Sequence, residues 1–200
     1  MAKLKLTKNE LKKQKDALKM FKRYLPTLML KKQQLQAEIR SVELRVKELR
    51  IEKEQVDESF KAWISVFGER GVWTPGILRI TKLVTSEGNI AGVPIPIFKG
   101  AEFEIEPYSF LEKPLWLDAA VENMKRVLLI DLEAEIMEEQ QRRLEKELRT
   151  TTQRVNLFEK VKIPESKRNI KKIQVYLGDE QTAAVVRGKI SKRAMEKTAV

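Results

Sequence analysis

Apolar residues return every seven positions along the first third of the chain. Leu4, Leu11, Leu18, Leu25, Lys32, Ile39, Val46, Lys53, Phe60 and Phe67 form one series, broken only by two lysines. Phe21, Leu28, Leu35, Val42, Leu49, Val56 and Trp63 form a second series three positions later. These are the a and d positions of a heptad, the repeat that keeps an apolar stripe in line along a supercoiled helix. The pattern predicts one long helix over 1–67, with a capping box at Thr7 and Glu10, and a length of roughly 90 Å. A second, less regular series follows in the last third. It has Val127, Ala134, Gln141, Leu148 and Val155 at a, and Ile130, Met137, Leu144, Thr151 and Phe158 at d. It predicts a second long helix within 114–200, opened by Pro114 and running to about Gly178, followed by a basic tail. Two stripes of equal length in one chain bury each other if the helices pair antiparallel. The expected fold is therefore mainly α, a long antiparallel two-helix coiled coil, with Pro26 and Pro164 bending it at a similar level.

Between the stripes, in 68–113, the period changes. Six of the eight glycines and five of the seven prolines lie between Gly68 and Pro114. Alternation from Leu78 to Thr85, turn-forming Ser86-Glu87-Gly88-Asn89, and a return over Ile90–Phe98 predict a β-hairpin near 78–98. Pro94 and Pro96 alternate in the second strand and cannot donate to a ladder, so that strand should be an edge whose far side is free for contact. Nine of the thirteen aromatic residues lie between Phe60 and Trp116, enough for a small separate core.

Composition narrows the chemistry. The chain has no Cys and no His, which removes thiolate nucleophiles, sulfur metal sites and the commonest general base. No phosphate-cradling glycine loop with its lysine is present, and the glycines at 68/71 and 88/92 lack the required helix start. Glu102, Glu104 and Glu106 alternate with Phe103 and Ile105, the ordinary signature of a half-buried strand. Met124 and Met137 read as gap-filling side chains. No catalytic, cofactor-binding or metal-binding residue is expected. Lys32 and Lys53 at a positions fix register or mark a third element. The longest uncharged run, Gly88–Phe98, is eleven residues, too short to span a bilayer, and no export signal is apparent, which points to the cytoplasm without membrane insertion.

Charge is uneven. Residues 1–32 carry eleven Lys/Arg and two Asp/Glu, and 160–200 carry eleven and four, so the overall +11 leaves the centre at −5. With the ends of the chain together, one basic end could steer an acidic partner. The residues alone leave three readings open. They are a scaffolding or mechanical rod, a prefoldin-like chaperone whose arms would need frayed apolar tips, and a basic coiled coil that holds nucleic acid.

A segment in the last third narrows the choice. Thr151-Thr152-Gln153-Arg154-Val155-Asn156-Leu157-Phe158-Glu159, followed by Ile163-Pro164, resembles the R-V-N-x-x-E…I-P signature of the D subunits of V-type and A-type rotary ATPases. The opening Leu6-Thr7-Lys8 with Leu11, the run from Leu28 to Leu35 and the basic stretch from Arg187 to Arg193 also sit where that family has similar residues. The resemblance implies a non-catalytic central rotor shaft that carries torque between the ring of A and B subunits and the membrane rotor. It implies three kinds of partner, namely the ring, a small F subunit and a funnel-like subunit, with no nucleic acid, and a place at the membrane periphery. On that reading the seam is Leu11, Leu18, Phe21, Leu25, Leu28, Leu35, Ile39, Val42, Val46, Leu49 and Val56 against Val127, Ile130, Met137, Leu144, Leu148, Val155 and Phe158. The end borne by the ring holds Lys8, Lys12, Lys15, Lys189, Lys192 and Arg193. The contact for the F subunit is the hairpin, at Glu87, Gly88 and Asn89 of its tip and at Pro94 and Pro96 of its edge.

Overall fold

The computed structural model describes residues 4–61, 76–108, 114 and 116–198. The expected seam positions Trp63 and Phe67 and the glycines Gly68 and Gly71 lie outside them. The order is helix α1 (Lys8–Lys61), strands β1 (Leu78–Ile90) and β2 (Val93–Ile105), helix α2 (Trp116–Asn156), a π-helical turn (Leu157–Lys162) and helix α3 (Ile163–Thr198). The chain is mainly helical, with two long helical stretches flanking one antiparallel hairpin. It divides into a middle unit, 32–149, and a terminal unit that joins 1–31 to 150–200.

In the middle unit α1 and α2 run antiparallel, and both flanks of their seam carry ion pairs. Arg45 reaches Glu133 at 2.9 Å and Arg126 reaches Glu52 at 3.0 Å, pairing residues that immediately precede seam positions. Arg50 reaches Glu138 at 2.8 Å, pairing residues that follow them. Between the flanks lie Leu49, Val56 and Ile130, packed with Val127, Ala134 and Met137. Lys53 holds its seam position by turning its ammonium to Asp131 at 2.6 Å, and this hydrogen bond raises its pKa. Exposed pairs of this kind are each worth roughly 0–1 kcal/mol, so they set register more than they supply stability.

The hairpin closes the third side of this core. Val93 and Ile95 are buried with Leu35, Ile39, Val42, Val46 and Leu144, and Ile90 and Ala91 pack on the same cluster. The turn is not at 86–89. Those residues continue β1, and the chain reverses over Ala91 and Gly92, both at positive φ (51° and 80°), with Ile90 paired to Val93. Two residues with φ above zero match the right-handed strand twist. Asn89 stabilises the reversal by accepting a hydrogen bond from the Gly92 amide at 2.9 Å. Gly88 serves a different purpose, because a Cβ there would lie 2.5 Å from Ile97 Cδ1. The second strand also runs beyond 98, to Ile105, through bulges near Lys99 and Thr81. At the root of the hairpin Ile77, Leu117 and Val121 are buried against Leu78, Tyr108 and Trp116. Pro114 lies just ahead of α2 and accepts a hydrogen bond from the Leu117 amide.

In the terminal unit α1 opens at Thr7, whose hydroxyl accepts from the Glu10 amide at 3.3 Å. The reciprocal half of the capping box is not made, because Glu10 accepts instead from Gln14, one turn on. The Phe21 and Phe158 rings meet at 5.0 Å, and Asn169 donates to Gln14 at 3.5 Å, which defines the antiparallel pairing here. Helix α1 continues through Pro26. Ahead of Pro164 the helix widens, and the Ile163 amide donates to the Phe158 carbonyl five residues back. The sequence shows why. Continuing the α2 repeat past Phe158 would bring Lys162, Glu165, Asn169, Lys172 and Tyr176 into the seam. The residues that turn inward are Ile163, Ser166, Ile170, Ile173 and Leu177, each one position later, and Ser166 and Ile173 are buried. The π-turn absorbs this one-residue skip, and it lies where a proline would otherwise clash with the preceding turn. Helix α3 does not stop at Gly178 but runs on to Thr198, with the Thr182 hydroxyl bonded to the Gly178 carbonyl.

Three outcomes follow from this packing. Deleting Lys160 together with Pro164→Ala should convert the π-turn to α-helix with the seam intact, keeping helix content and thermal midpoint at or above the parent's. Deleting Arg142 instead should throw the seam out of phase and lower the midpoint sharply, as followed by circular dichroism. Gly88→Ala should cost about 1 kcal/mol by overpacking Ile97, and the cost should vanish in an Ile97→Ala background, as read by denaturant unfolding. Tyr108 donates to Asp118, and that bond, with burial and the carboxylate charge, raises its pKa to about 12. Its stabilisation is therefore full below the ordinary phenol pKa and lost as pH rises through about 12. The phenolate difference spectrum against Tyr108→Phe should show that midpoint, and Asp118→Asn should bring it down.

Candidate interaction surfaces

Three groups of residues stand out for contact with other molecules. The first is the basic end. Lys8, Lys12 and Lys15 are exposed on the opening turns of α1, and Lys189, Lys192 and Arg193 on the last turns of α3. The start of α1 lies beside Tyr176, Leu177 and Glu180, which line a shallow cleft with Leu6, Thr7, Lys8 and Asn9. The two sets of cations thus share one end of the terminal unit but not one level, because Lys189 is about 14 Å further along α3 than Glu180. From Gly178 to Met195 every residue is exposed, including Val185, Val186, Ile190 and Met195. The α1 cations also extend further than expected. Lys8, Lys12, Lys15, Lys19 and Lys22 each follow a seam position, forming one lysine stripe at alternating spacings of four and three. The signal for Lys19 and Lys22 was the heptad itself. The terminal unit carries 22 Lys/Arg against 7 Asp/Glu, a net +15, whereas the middle unit carries 18 against 22, a net −4.

The second group is the segment around the π-turn. Val155 is buried in the seam, Ile163 and Pro164 are half-buried behind the widened turn, and Arg154, Asn156 and Glu159 are exposed. The motif therefore combines a packing element, which holds the skip, with three polar groups turned outward.

The third group is the hairpin, and the structure separates its residues. Pro94 and Pro96 point their carbonyls away from β1, as a proline without an amide hydrogen requires, but that edge is not free. Gln140, itself buried, donates to the Pro96 carbonyl at 2.6 Å, and Arg143 to that of Pro94 at 3.4 Å, so α2 engages this edge while Pro94 itself stays exposed. Gly88 is covered by Ile97, as its close approach shows. Glu87 and Asn89 are exposed on β1, whose outer edge pairs with no other strand among the described residues. They pair with Pro96 and Pro94, so their amides and carbonyls also point out of the ladder. Nearer the root, Lys82 approaches Glu102 at 3.8 Å on a charged face, while Leu83, Ile80 and Ile105 stay partly exposed.

Among the described residues no group of three or more Asp or Glu is placed to hold a metal ion, and no helix is long and apolar enough to cross a membrane. The seam residues named from the sequence are all buried or half-buried.

Comparison with known proteins extends the resemblance to nearly the whole chain. The family model for the D subunit of ATP synthase matches residues 10–193. The V-type ATP synthase D subunit of Borreliella burgdorferi is 52% identical over 197 residues, spanning 98% of this chain and 97% of its own. Those of Chlamydia muridarum and Chlamydia trachomatis are each 35% identical over 196 residues, spanning 96% of both chains. A heptad pair with a one-residue skip at its R-V-N…I-P motif, a central hairpin and this similarity from end to end place the chain in the family of ATP synthase D subunits, among those of the V type.

Proposed function

We propose that the chain is the non-catalytic central rotor shaft of a V-type ATP synthase, carrying torque between the A/B ring and the membrane rotor. The observation that carries this reading is the basic, exposed end of α3. An isolated helix of this length is marginal in water, so a stretch from Gly178 to Met195 with every residue exposed is suited to insertion into a surrounding partner. A ring lined with acidic side chains or carbonyls supplies that surrounding, and Lys8, Lys12, Lys15, Lys189, Lys192 and Arg193 are the groups that bear on it. The ion pairs on both flanks of the middle unit resist sliding of one helix past the other, which a torque-bearing body requires. An asymmetric shaft within a threefold ring favours one catalytic interface at a time, so rotation becomes sequential change in nucleotide affinity.

The hairpin is the contact for the small F subunit, through Glu87 and Asn89 on the open edge of β1 and the exposed apolar face near its root. Gly88, Pro94 and Pro96 act from behind, by holding that edge in place. A funnel-like subunit joins the shaft to the membrane rotor, and the protein works at the cytoplasmic periphery of the membrane.

Reversing the six basic residues to Glu tests the bearing. In membranes from cells that carry the variant, ATP hydrolysis should persist while ion pumping falls severalfold, with the isolated chain's helix content unchanged. Unchanged coupling would remove these residues from the bearing.

A further inference from the structure

Both helical stretches of the terminal unit are interrupted at one height. Pro26 has no amide hydrogen, so within the continuous α1 the Lys22 carbonyl loses its helical donor. Lys22 directly follows Phe21, and Phe21 meets Phe158, the residue after which the other stretch widens. There the Ile163 amide reaches back five residues to the Phe158 carbonyl, and Pro164 again supplies no donor. The gap in α1 runs from Phe21 toward Pro26 and the other from Phe158 toward Pro164. In an antiparallel pair these are opposite directions, so the two gaps adjoin at the ring pair. Interrupted backbone ladders are where helices give way to bending and twisting.

The position is pinned by the seam. Moving the extra residue one seam step earlier would bring Glu159 inward in place of Phe158, and one step later would bring Lys162 inward in place of Ile163. Either change puts a charge among apolar side chains. The contact at this height also suits a change of angle. The Phe21 and Phe158 rings meet at 5.0 Å with their planes at 49°. Aromatic pairs keep their attraction over centroid separations of roughly 4.5–7 Å and from offset-stacked to edge-to-face arrangements, so this pair holds while the helices around it turn.

From this arrangement we infer that the Phe21–Phe158 level is a built-in swivel, at which the two helices of the terminal unit bend and twist together while the seam on either side keeps its register. A turn here leaves the hairpin core undisturbed, since all three apolar clusters that form it and the α1–α2 seam lie in the middle unit. The swivel is a property of the chain itself. Only its use rests on the shaft reading above: it lets an end held by a ring lag or lead the remainder of the shaft.

The chain has no cysteine, so introduced pairs carry nitroxide labels without background. Gln153→Cys with Lys171→Cys spans the π-turn, and Glu135→Cys with Gln153→Cys spans the same eighteen residues of unbroken α2; all three positions are exposed. Double electron–electron resonance on the full chain should give a distance distribution about twofold broader for the spanning pair. Deleting Lys160 together with Pro164→Ala and Pro26→Ala should narrow it to the width of the α2 pair. Equal widths for the two pairs, or a width that the variant leaves unchanged, would overturn the swivel and leave the shaft reading standing. Should the variant misfold, hydrogen exchange in the unaltered chain decides. The amides of Lys160 to Ile163 should exchange about a hundredfold faster than those of Thr151 to Val155, and equal protection overturns the swivel.

Discussion

Everything in this molecule depends on keeping two apolar stripes in contact along helices that face in opposite directions. A heptad keeps its stripe in line only while the count of residues stays unbroken, and one extra residue rotates every later side chain by about 100°. The chain contains such an extra residue between Phe158 and Ile163. It is absorbed in a π-turn, with an amide reaching five residues back, and Ile173 is thereby buried in place of Lys172. Pro164 belongs to the same solution, since the widened turn lies where an α-helix would press its carbonyl against the ring. The segment from Arg154 to Pro164 is thus, in large part, the covalent record of a packing problem.

The hairpin obeys the same seam. Its tip supplies Val93 and Ile95 to the cluster formed by α1 and α2, and its outer edge is tied to α2 through Gln140 and Arg143. This leaves one edge and part of one face for other molecules. The exposed polar groups Glu87 and Asn89 therefore lie along β1, and the two units differ in net charge, +15 against −4.

Much of this was legible in the sequence. The heptads of α1 picked out positions that are buried or half-buried, because Leu, Val and Ile at fixed spacing mark one face of a helix. The second helix was legible only to Phe158, since a single repeat was carried through a skip; testing the residues one position later would have recovered Ile163, Ser166, Ile170, Ile173 and Leu177. The turn was misplaced because Ser86-Glu87-Gly88-Asn89 has turn composition, whereas an alanine at positive φ is rare. Only the three-dimensional pairing reveals that Gly88 makes room for Ile97 rather than for a bend. Gly178 misled in a similar way, as a glycine that suggests a helix end yet lies inside α3. The family resemblance came from the segment around Arg154 and not from any reactive group.

The flank ion pairs have one more consequence. Suppose α2 were displaced by one full heptad, the smallest shift that returns apolar residues to the seam. In one direction Arg45 would come to face Arg126; in the other, Glu52 would come to face Glu133. Hydrophobic packing alone tolerates either shift, but each one brings like charges together. The two arginines and two glutamates therefore act as the teeth of a key, which enters the lock at a single depth.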